Sequence, residues 1–133
     1  MATINRITQI FRDFDLAFSS HPNTEDLAVK RDAEAVKQSL RNLILTQYYE
    51  RPFHSEIGSP VRSLLFEFAS PLTVNAMRRA IIDVIGNFEP RVALDDVQIF
   101  FRDANNECTI SIQFRVVGLQ STQQLDILIE RTR

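Results

Sequence analysis

The sequence contains few of the residues from which disulfides, metal sites and phosphate-binding loops are built. It has one cysteine, two histidines, three glycines and no tryptophan in 133 residues. The single cysteine, Cys108, cannot form a disulfide within the chain, and one cysteine with two histidines is too little for a zinc site. Three scattered glycines exclude the glycine-rich loops that cradle phosphates. We therefore expect no metal and no cofactor.

An excess of one charge and long apolar runs are also missing. The 15 basic and 17 acidic residues are interleaved and leave a net charge of −2, so no basic stripe is available for nucleic acid. No run approaches the roughly 20 apolar residues of a transmembrane helix, and the first residues lack the apolar core of a signal peptide. We therefore expect no nucleic acid, no membrane and no small-molecule substrate, and a protein made and kept in a cytoplasm.

The remaining composition is that of an ordinary globular protein. Hydrophobic residues make up 44% of the chain and charged residues 24%, which predicts a single domain over residues 1–133 with one core. Short apolar runs mixed with breakers indicate a less well-fixed N-terminal segment over 1–28, with a short strand at 15–18, that orders against a neighbour. A helical part is expected over 29–88 and a strand meander over 91–131.

Apolar residues at steps of three and four predict the first helix over residues 29–47. Acidic and basic residues alternate on its other side, which is typical of a solvated face. The connector after it is irregular and extended. The apolar stripe of this helix consists of Val29, Ala33, Val36, Leu40, Leu43 and Ile44.

Two further helices follow the connector. A left-handed turn is expected at Gly58, and Ser59 has the position of an N-cap for a short second helix. Thr73 has the same position for the third helix, where Leu72 and Met77 would form a hydrophobic staple. The third stripe consists of Val74, Met77, Ile81, Val84, Ile85 and Phe88.

Alternation of apolar and polar residues predicts three strands in the last part of the chain. The clearest alternation runs from Cys108 to Val116, which makes Cys108 a small core residue and not a reactive thiol. A hairpin loop precedes this strand, and the last strand carries Leu125, Ile127 and Ile129. Three helices ahead of an antiparallel C-terminal meander make the fold class α+β, with the helices packed on one sheet.

The change from helical to strand pattern falls at Glu89-Pro90-Arg91. Pro90 has no backbone N–H and moves Glu89 away from helical backbone angles, so the third helix must end there. One interpretation is an exposed turn with two solvated charges. The other is a charge pair held for a partner, in which case Arg91→Ala would fold, melt within a few degrees of wild type and lose the partner.

Three motifs occur in a fixed order along the chain. They are Arg51-Pro52-Phe53 with Glu56 and Gly58, then Leu64-Leu65-Phe66-Glu67 with Pro71-Leu72-Thr73, then Glu89-Pro90-Arg91. This order resembles the small baseplate wedge family of contractile phage tails, whose relative in type VI secretion is TssE. The similarity covers the chain from about residue 29 to the C-terminus. One departure is Tyr48-Tyr49, because members commonly carry a glycine shortly before the Arg-Pro-Phe.

The resemblance implies a structural subunit of the wedge around the tail tube. Larger wedge proteins that form a helical core bundle would bind at the Glu-Pro-Arg junction, and the Arg-Pro-Phe segment is a further candidate for partner binding. We then expect the protein in the virion, at the tail baseplate, after assembly in the host cytoplasm. The candidate residues for this contact are Glu89, Pro90, Arg91, Arg51, Pro52 and Phe53.

The resemblance also implies a platform for the first ring of tail sheath, in which a sheath strand extends this chain's sheet. An open meander leaves edges with unpaired N–H and C=O groups, and the last strand is apolar on parts of both faces. Leu125, Ile127 and Ile129 are the candidates there. Ile127→Pro is expected to leave the fold intact and block sheath docking, because proline removes a ladder donor.

Three alternatives remain open from the sequence. One is a TssE-like component of a type VI secretion baseplate, and another is a regulatory anti-adaptor of similar fold. The third is a lysozyme-like hydrolase, which needs two carboxylates in one cleft, one of them with a raised pKa. Glu56, Glu67 and Glu89 would be its candidates, but 17 acids make such pairs easy to find by chance. We expect no catalysis, since a site requires convergent geometry.

Overall fold

The chain folds as a layer of helices on one face of an antiparallel sheet, with a two-stranded ribbon at the N-terminal side. The computed structural model describes residues 11–102, 105–119 and 121–131. The predicted α+β class, with three helices and a C-terminal meander, is confirmed. In chain order the elements are β1 (Arg12–Phe14), β2 (Val29–Arg31), α1 (Asp32–Leu45), α2 (Val61–Leu65), α3 (Pro71–Phe88), β3 (Val92–Arg102), β4 (Glu107–Val116) and β5 (Thr122–Glu130).

The predicted start of the first helix at residue 29 is wrong, because β2 occupies that position. β2 pairs antiparallel with β1, with Asp13 opposite Lys30, and the ribbon packs against α1. α1 begins at Asp32, where φ is 46° and the N–H donates to the Phe11 carbonyl at 2.9 Å. The pairing of β2 with β1 does not change the apolar spacing of residues 29–31, so the sequence pattern could not reveal this strand.

The described part of the N-terminal segment contains a short strand and an isolated bridge. The short strand expected at 15–18 lies instead at residues 12–14. Beyond it, Ser20 forms an isolated bridge with Leu27 that extends the ribbon. The rest of the predicted segment, residues 1–10, lies outside the described part of the chain.

The beginning of α3 differs from the predicted one. Ser70 is the N-cap, because its hydroxyl accepts a hydrogen bond from the Thr73 N–H at 3.2 Å, and Pro71 occupies the first turn. Thr73 is buried inside the helix, and Leu72 is 79% exposed. The predicted staple between Leu72 and Met77 is therefore wrong. Two capping candidates three residues apart explain the error.

The sheet has β4 at its centre, between β3 and β5. Ile110 of β4 lies opposite Ile99 of β3 and Ile127 of β5, so each such row places three side chains on the same face. A bulge interrupts β3 between Leu94 and Asp96. β3 and β5 are consequently the two edges of the sheet.

The core lies between this sheet and the helices. Cys108 is fully buried there, and burial raises the pKa of its thiol to about 11, so it is a core residue as predicted. Across the described ranges, no helix combines the length and apolar character that a membrane crossing needs. Fully buried side chains from the helices and the sheet include Leu40, Ile44, Met77, Ile81, Ile110 and Phe114.

Candidate partner-binding site

Glu89 and Arg91 form an ion pair at the C-terminal end of α3. The side chain of Glu89 is 4% exposed and that of Arg91 is 30% exposed. Arg91 Nε donates to Glu89 Oε1 at 2.6 Å, and Nη2 donates to Oε2 at 2.8 Å. The Ser39 hydroxyl, on α1, donates to the same Oε2 at 2.6 Å. Both carboxylate oxygens are thus used within the chain, which excludes a solvated turn and leaves no carboxylate oxygen without a partner.

The ionisation of this pair follows from these contacts. Burial disfavours the charged form and by itself would raise the pKa of Glu89. Hydrogen bonds from Arg91 and Ser39, with the charge of the guanidinium, outweigh burial and hold the pKa of Glu89 below its usual value. The hydrogen bond to Glu89 is the main reason that the pKa of Arg91 is raised. The junction therefore carries a bidentate, charged pair at neutral pH.

The N-terminal ribbon completes the surroundings of Arg91. The Arg91 guanidinium lies 5.4 Å from the centroid of the Phe11 ring, a cation–π distance. The nearby Asp13 also favours the charged form of Arg91. The Arg91 carbonyl accepts from the Val117 N–H at 2.8 Å, beside the start of β3–β4 pairing. Among the described contacts Nη1 makes no hydrogen bond, so one side of the guanidinium can still donate. Neither Phe11 nor Ser39 was a sequence candidate.

The Arg51-Pro52-Phe53 motif lies in the loop over residues 46–60, between α1 and α2. Tyr49 and Phe53 have φ of 67° and 65°, a left-handed conformation that costs a bulky residue about 1–2 kcal/mol. The Tyr49 N–H donates to the Ser55 carbonyl at 3.0 Å, which closes the loop on itself. In this conformation Phe53 is 101% exposed and Tyr49 is 85% exposed. Backbone strain of this kind is concentrated at functional sites, which makes the loop a candidate for binding.

Gly58 fixes the return of this loop. A Cβ at Gly58 would lie 2.7 Å from both the carbonyl carbon and oxygen of Gln47. Its φ is outside the left-handed region, so the predicted left-handed turn is wrong and the need for glycine comes from close approach. Ser59 then donates from its N–H to the Thr46 carbonyl at 2.8 Å and from its hydroxyl to the Ile44 carbonyl at 2.5 Å. Ser59 therefore anchors the loop to α1, and the N-cap of α2 is the next residue.

The loop and residues next to the junction line one open cleft of about 510 Å³. Arg51 and Pro52 line it from the loop, and Ser39 and Phe88 line it beside the Glu89–Arg91 pair. The fold thus brings the Arg-Pro-Phe and Glu-Pro-Arg motifs together. Sequence spacing could not show this, because α2 and α3 separate the two motifs.

The strand candidates occupy a different position. Leu125, Ile127 and Ile129 of β5 are 6%, 2% and 8% exposed, with their side chains in the core. A partner at this edge could therefore contact only the β5 backbone and the side chains on its outer face. Leu128 is the exposed apolar residue of that face, at 58%.

Hydrogen bonds at two points of β5 show which backbone groups face outward. The Arg131 N–H donates inward to the Asn106 carbonyl at 2.7 Å, whereas the Asp126 carbonyl accepts from Arg41 of α1 at 3.3 Å. Because backbone directions alternate along an antiparallel strand, odd-numbered residues bond to β4 and even-numbered residues face the edge. Ile127→Pro would thus remove a hydrogen bond between β5 and β4. The expectation that this variant leaves the fold intact and affects only the exposed edge is therefore wrong.

Two of the three acids considered for hydrolysis, Glu56 and Glu89, lack the raised pKa of a general acid. A hydrogen bond from its own backbone and another from His54 hold the pKa of Glu56 below its usual value, and the pKa of Glu89 is lowered as well. A catalytic acid at neutral pH needs a raised pKa. In the described part of the chain, no three His, Cys, Asp or Glu side chains are grouped to hold a metal.

Comparison with known proteins gives one family. Residues 30–121 match the family model described as baseplate wedge protein gp25. A curated relative, the baseplate wedge protein gp25 of Enterobacteria phage T4, is 29% identical over 126 residues. That alignment covers 95% of this chain and 91% of the relative.

Three solved structures share the fold at low sequence identity. A Geobacter sulfurreducens protein described as a tail lysozyme has a TM-score of 0.68 at 20% identity, over 74% of this chain and 89% of that one. A chain of the anti-feeding prophage baseplate has a TM-score of 0.63 at 21% identity, over 89% of this chain and 83% of that one. A chain of the post-contraction pyocin R2 baseplate has a TM-score of 0.57 at 16% identity, over 92% of this chain and 100% of that one.

The resemblance inferred from the three motifs is confirmed by these findings. The family match, over residues 30–121, includes all three motifs and extends into the meander. The phage relative aligns over nearly its whole length, so the correspondence is not limited to one motif. The chain belongs to the baseplate wedge protein gp25 family, and its class is that of a structural subunit of a contractile-tail baseplate wedge.

Proposed function

We propose that this chain binds the larger wedge proteins of its baseplate at the cleft between the loop over 46–60 and the Glu89-Pro90-Arg91 junction. The observation that carries the proposal is Phe53, which is 101% exposed beside the cleft on a strained backbone. An aromatic ring held away from the rest of the chain stabilises nothing there, whereas a partner that covers it gains a large apolar area. The protein would then lie in the virion, after assembly in the host cytoplasm.

The buried ion pair supports this proposal because it is held next to the cleft by Ser39, which donates to Glu89 and lines the cleft. Arg91 is fixed by Glu89, so its free Nη1 can donate to a partner carbonyl or carboxylate with little further loss of side-chain entropy. In the loop, Arg51 has no ion pair within the part of the chain that the structure describes. Two guanidinium groups are therefore available to a partner whose surface offers oxygens.

Phe53→Ala tests the wedge contact without disturbing the fold. Because the ring touches little of the free chain, the melting temperature should stay at the wild-type value. Loss of an aromatic anchor should weaken binding to the large wedge protein by about 2 kcal/mol, roughly 30-fold in Kd. The measurement is a thermal melt beside a pull-down with the purified large wedge protein.

Phe100→Ala is the matched control, since this ring is 54% exposed on the outer face of the sheet. It should leave the pull-down unchanged. Wild-type binding by Phe53→Ala would contradict the proposal. Equal losses in both variants would show that general apolar surface, and not the cleft, governs the contact.

We further propose that tail sheath subunits dock by adding a strand at the β5 edge. Leu128→Pro removes an N–H that faces this edge, so the chain should fold and the baseplate should fail to start a sheath. Ile127→Pro should instead lower stability, because its N–H bonds to β4. Leu128→Ala keeps the edge N–H and is the control. Normal sheath assembly on baseplates carrying folded Leu128→Pro would exclude this edge as the docking site.

Hydrolysis is the second candidate, because one structure of similar fold is described as a tail lysozyme. We propose that this chain has no such activity, since the pKa values of Glu56 and Glu89 are lowered. Purified protein should release no soluble fragments from peptidoglycan above the buffer background. Release that disappears in Glu56→Gln or Glu67→Gln would establish an enzyme instead.

A further inference from the structure

We propose that the outward face of α3, with Phe66 and Phe68 just before it, is a second docking surface. Its partner would be an amphipathic helix of another protein, with carboxylates beside its apolar stripe. None of the residues of this surface lines the cleft described above. The surface is thus additional to the proposed wedge contact, and separate variants test the two.

α3 carries a second stripe on the side away from the core. Leu72, Asn75, Arg79, Ile82 and Gly86 recur at steps of three and four, which places them along one line of the helix. Leu72 is 79% exposed and Ile82 is 43% exposed. This spacing is the one with which a helix packs against another helix, yet no described element covers this side of α3.

Gly86 adds a reason for a helical partner. A Cβ at this position would meet nothing within 4 Å, so the backbone of α3 is open to solvent there. The distance between two packed helices depends on the side chains at the contact. A partner helix could therefore approach α3 closely at Gly86, while Leu72 and Ile82 fill gaps between its side chains.

Two aromatic residues extend the apolar surface beyond the first turn of α3. Phe66 is 64% exposed and Phe68 is 86% exposed. Their backbone is held in place, because Arg131 donates to the carbonyls on either side of Phe66 and the Thr73 hydroxyl donates to the Phe68 carbonyl at 2.8 Å. Rings presented on a fixed backbone lose little conformational entropy when a partner covers them.

The charges of this surface favour a partner with carboxylates. The side chains of Arg62, Arg78 and Arg79 make no hydrogen bond or ion pair within the described chain. Glu67 and Asp83 are the acids beside them, which leaves a local excess of one positive charge in a chain of net −2. On a helix with 100° per residue, Arg78 borders the stripe on one side and Asp83 on the other. Carboxylates of the partner would pair with the arginines.

A second copy of this chain fits the surface less well. In a symmetric dimer the same face meets itself. Arg79 lies at the middle of the stripe, so a two-fold axis there would bring two unpaired arginines together at a cost of several kcal/mol. The exposed apolar residues also make nucleic acid a poor occupant. A different protein with acidic residues beside an apolar stripe avoids both problems.

The test uses assembled tail particles that carry variants of the full chain. Arg79→Glu should reduce the copies of this protein per particle by about tenfold or more, because it places like charges together. Arg12→Glu is the control, since Arg12 is also exposed, makes no ion pair in the described structure and lies opposite Arg31 in the ribbon. Both variants should melt like wild type. In parallel, p-benzoyl-phenylalanine at Ile82 should cross-link one partner segment, identified by mass spectrometry.

The proposal predicts a cross-linked segment with apolar residues at steps of three and four and with Asp or Glu beside them. It also predicts that the cross-link is lost when Arg79→Glu is added. Wild-type copy number for Arg79→Glu would overturn it. A cross-link to a second copy of this chain, to nucleic acid, to a segment without carboxylates, or to nothing in intact particles would overturn it as well.

Discussion

Arg91→Ala is expected to lower the free energy of unfolding by about 3 kcal/mol, which corresponds to a melting temperature lower by roughly 10 °C. The carboxylate of Glu89 is 4% exposed and would keep only the Ser39 hydroxyl as a partner. The cation–π contact with Phe11 would be lost too. Because Arg91 is itself 30% exposed, the loss falls at the lower end of those measured for broken buried pairs. Urea unfolding at neutral pH measures it.

This expectation replaces the loss of only a few degrees that the sequence suggested. Arg115→Ala is the control, because Arg115 and Asp95 form an exposed pair at 2.8 Å, with side chains 54% and 30% exposed. Such a pair contributes no more than about 1 kcal/mol. Equally small losses in both variants would mean that the Glu89–Arg91 pair contributes little to the fold and that Arg91 serves the partner alone.

The same pair makes stability depend on pH in a defined direction. The pKa of Glu89 is lower in the folded chain than its ordinary value of 4.5. Its contribution is therefore fully present above about pH 4.5 and is lost as the pH falls through the lower folded pKa. Glu89→Gln has no such carboxyl, so the stability difference between wild type and this variant should shrink as acid is added.

Gly58→Ala is expected to cost about 3 kcal/mol, the other large effect. The new Cβ would lie 2.7 Å from the carbonyl group of Gln47 and 2.8 Å from the Tyr48 N, all backbone atoms that cannot rotate away. The loop would have to shift, which breaks the two hydrogen bonds from Ser59 to α1. The free energy of unfolding measures the cost, and the pull-down that tests Phe53 should weaken as well.

Gly86→Ala is the matched control within the same chain. Nothing lies within 4 Å of a Cβ there, and Gly86 is inside α3. Alanine is the better helix former, so this variant should gain about 0.5–1 kcal/mol. A Gly58→Ala protein as stable as wild type would show that the end of the loop can move freely, and the loop would then lose its role as a fixed wall of the cleft.

The elements that the sequence predicted well are those whose pattern is local. β4 alternates strictly, and Met77, Ile81, Val84 and Ile85 of α3 are buried as their spacing indicated. The errors concern long-range pairing and choices between similar residues a few positions apart. β2 forms because β1 is present, and Ser70 caps α3 although Thr73 is an equally good capping residue. Composition around a single position cannot decide either case.

The candidate site shows the same division. Glu89 and Arg91 could be found because they are two residues apart and flank a proline. Their burial could not, since it depends on Ser39, which lies 50 residues earlier in the chain, and on Phe11 from the ribbon. The position of Arg51 across the cleft depends likewise on the close contact at Gly58. Local spacing identifies the pair, and tertiary contacts determine its environment.

Because Glu89 lies at the C-terminal end of α3, the loss of Glu89 and the loss of Arg91 should have unequal consequences. Aligned peptide dipoles give the C-terminal end of this 18-residue helix a partial negative charge, which repels a carboxylate. α3 has no basic residue in its last turn, so Arg91 offsets both Glu89 and the helix dipole. A neutral residue at position 89 would leave the arginine a favourable place, whereas loss of the arginine would leave two negative charges side by side. Among relatives, substitutions should therefore be more frequent at the position of Glu89 than at the position of Arg91.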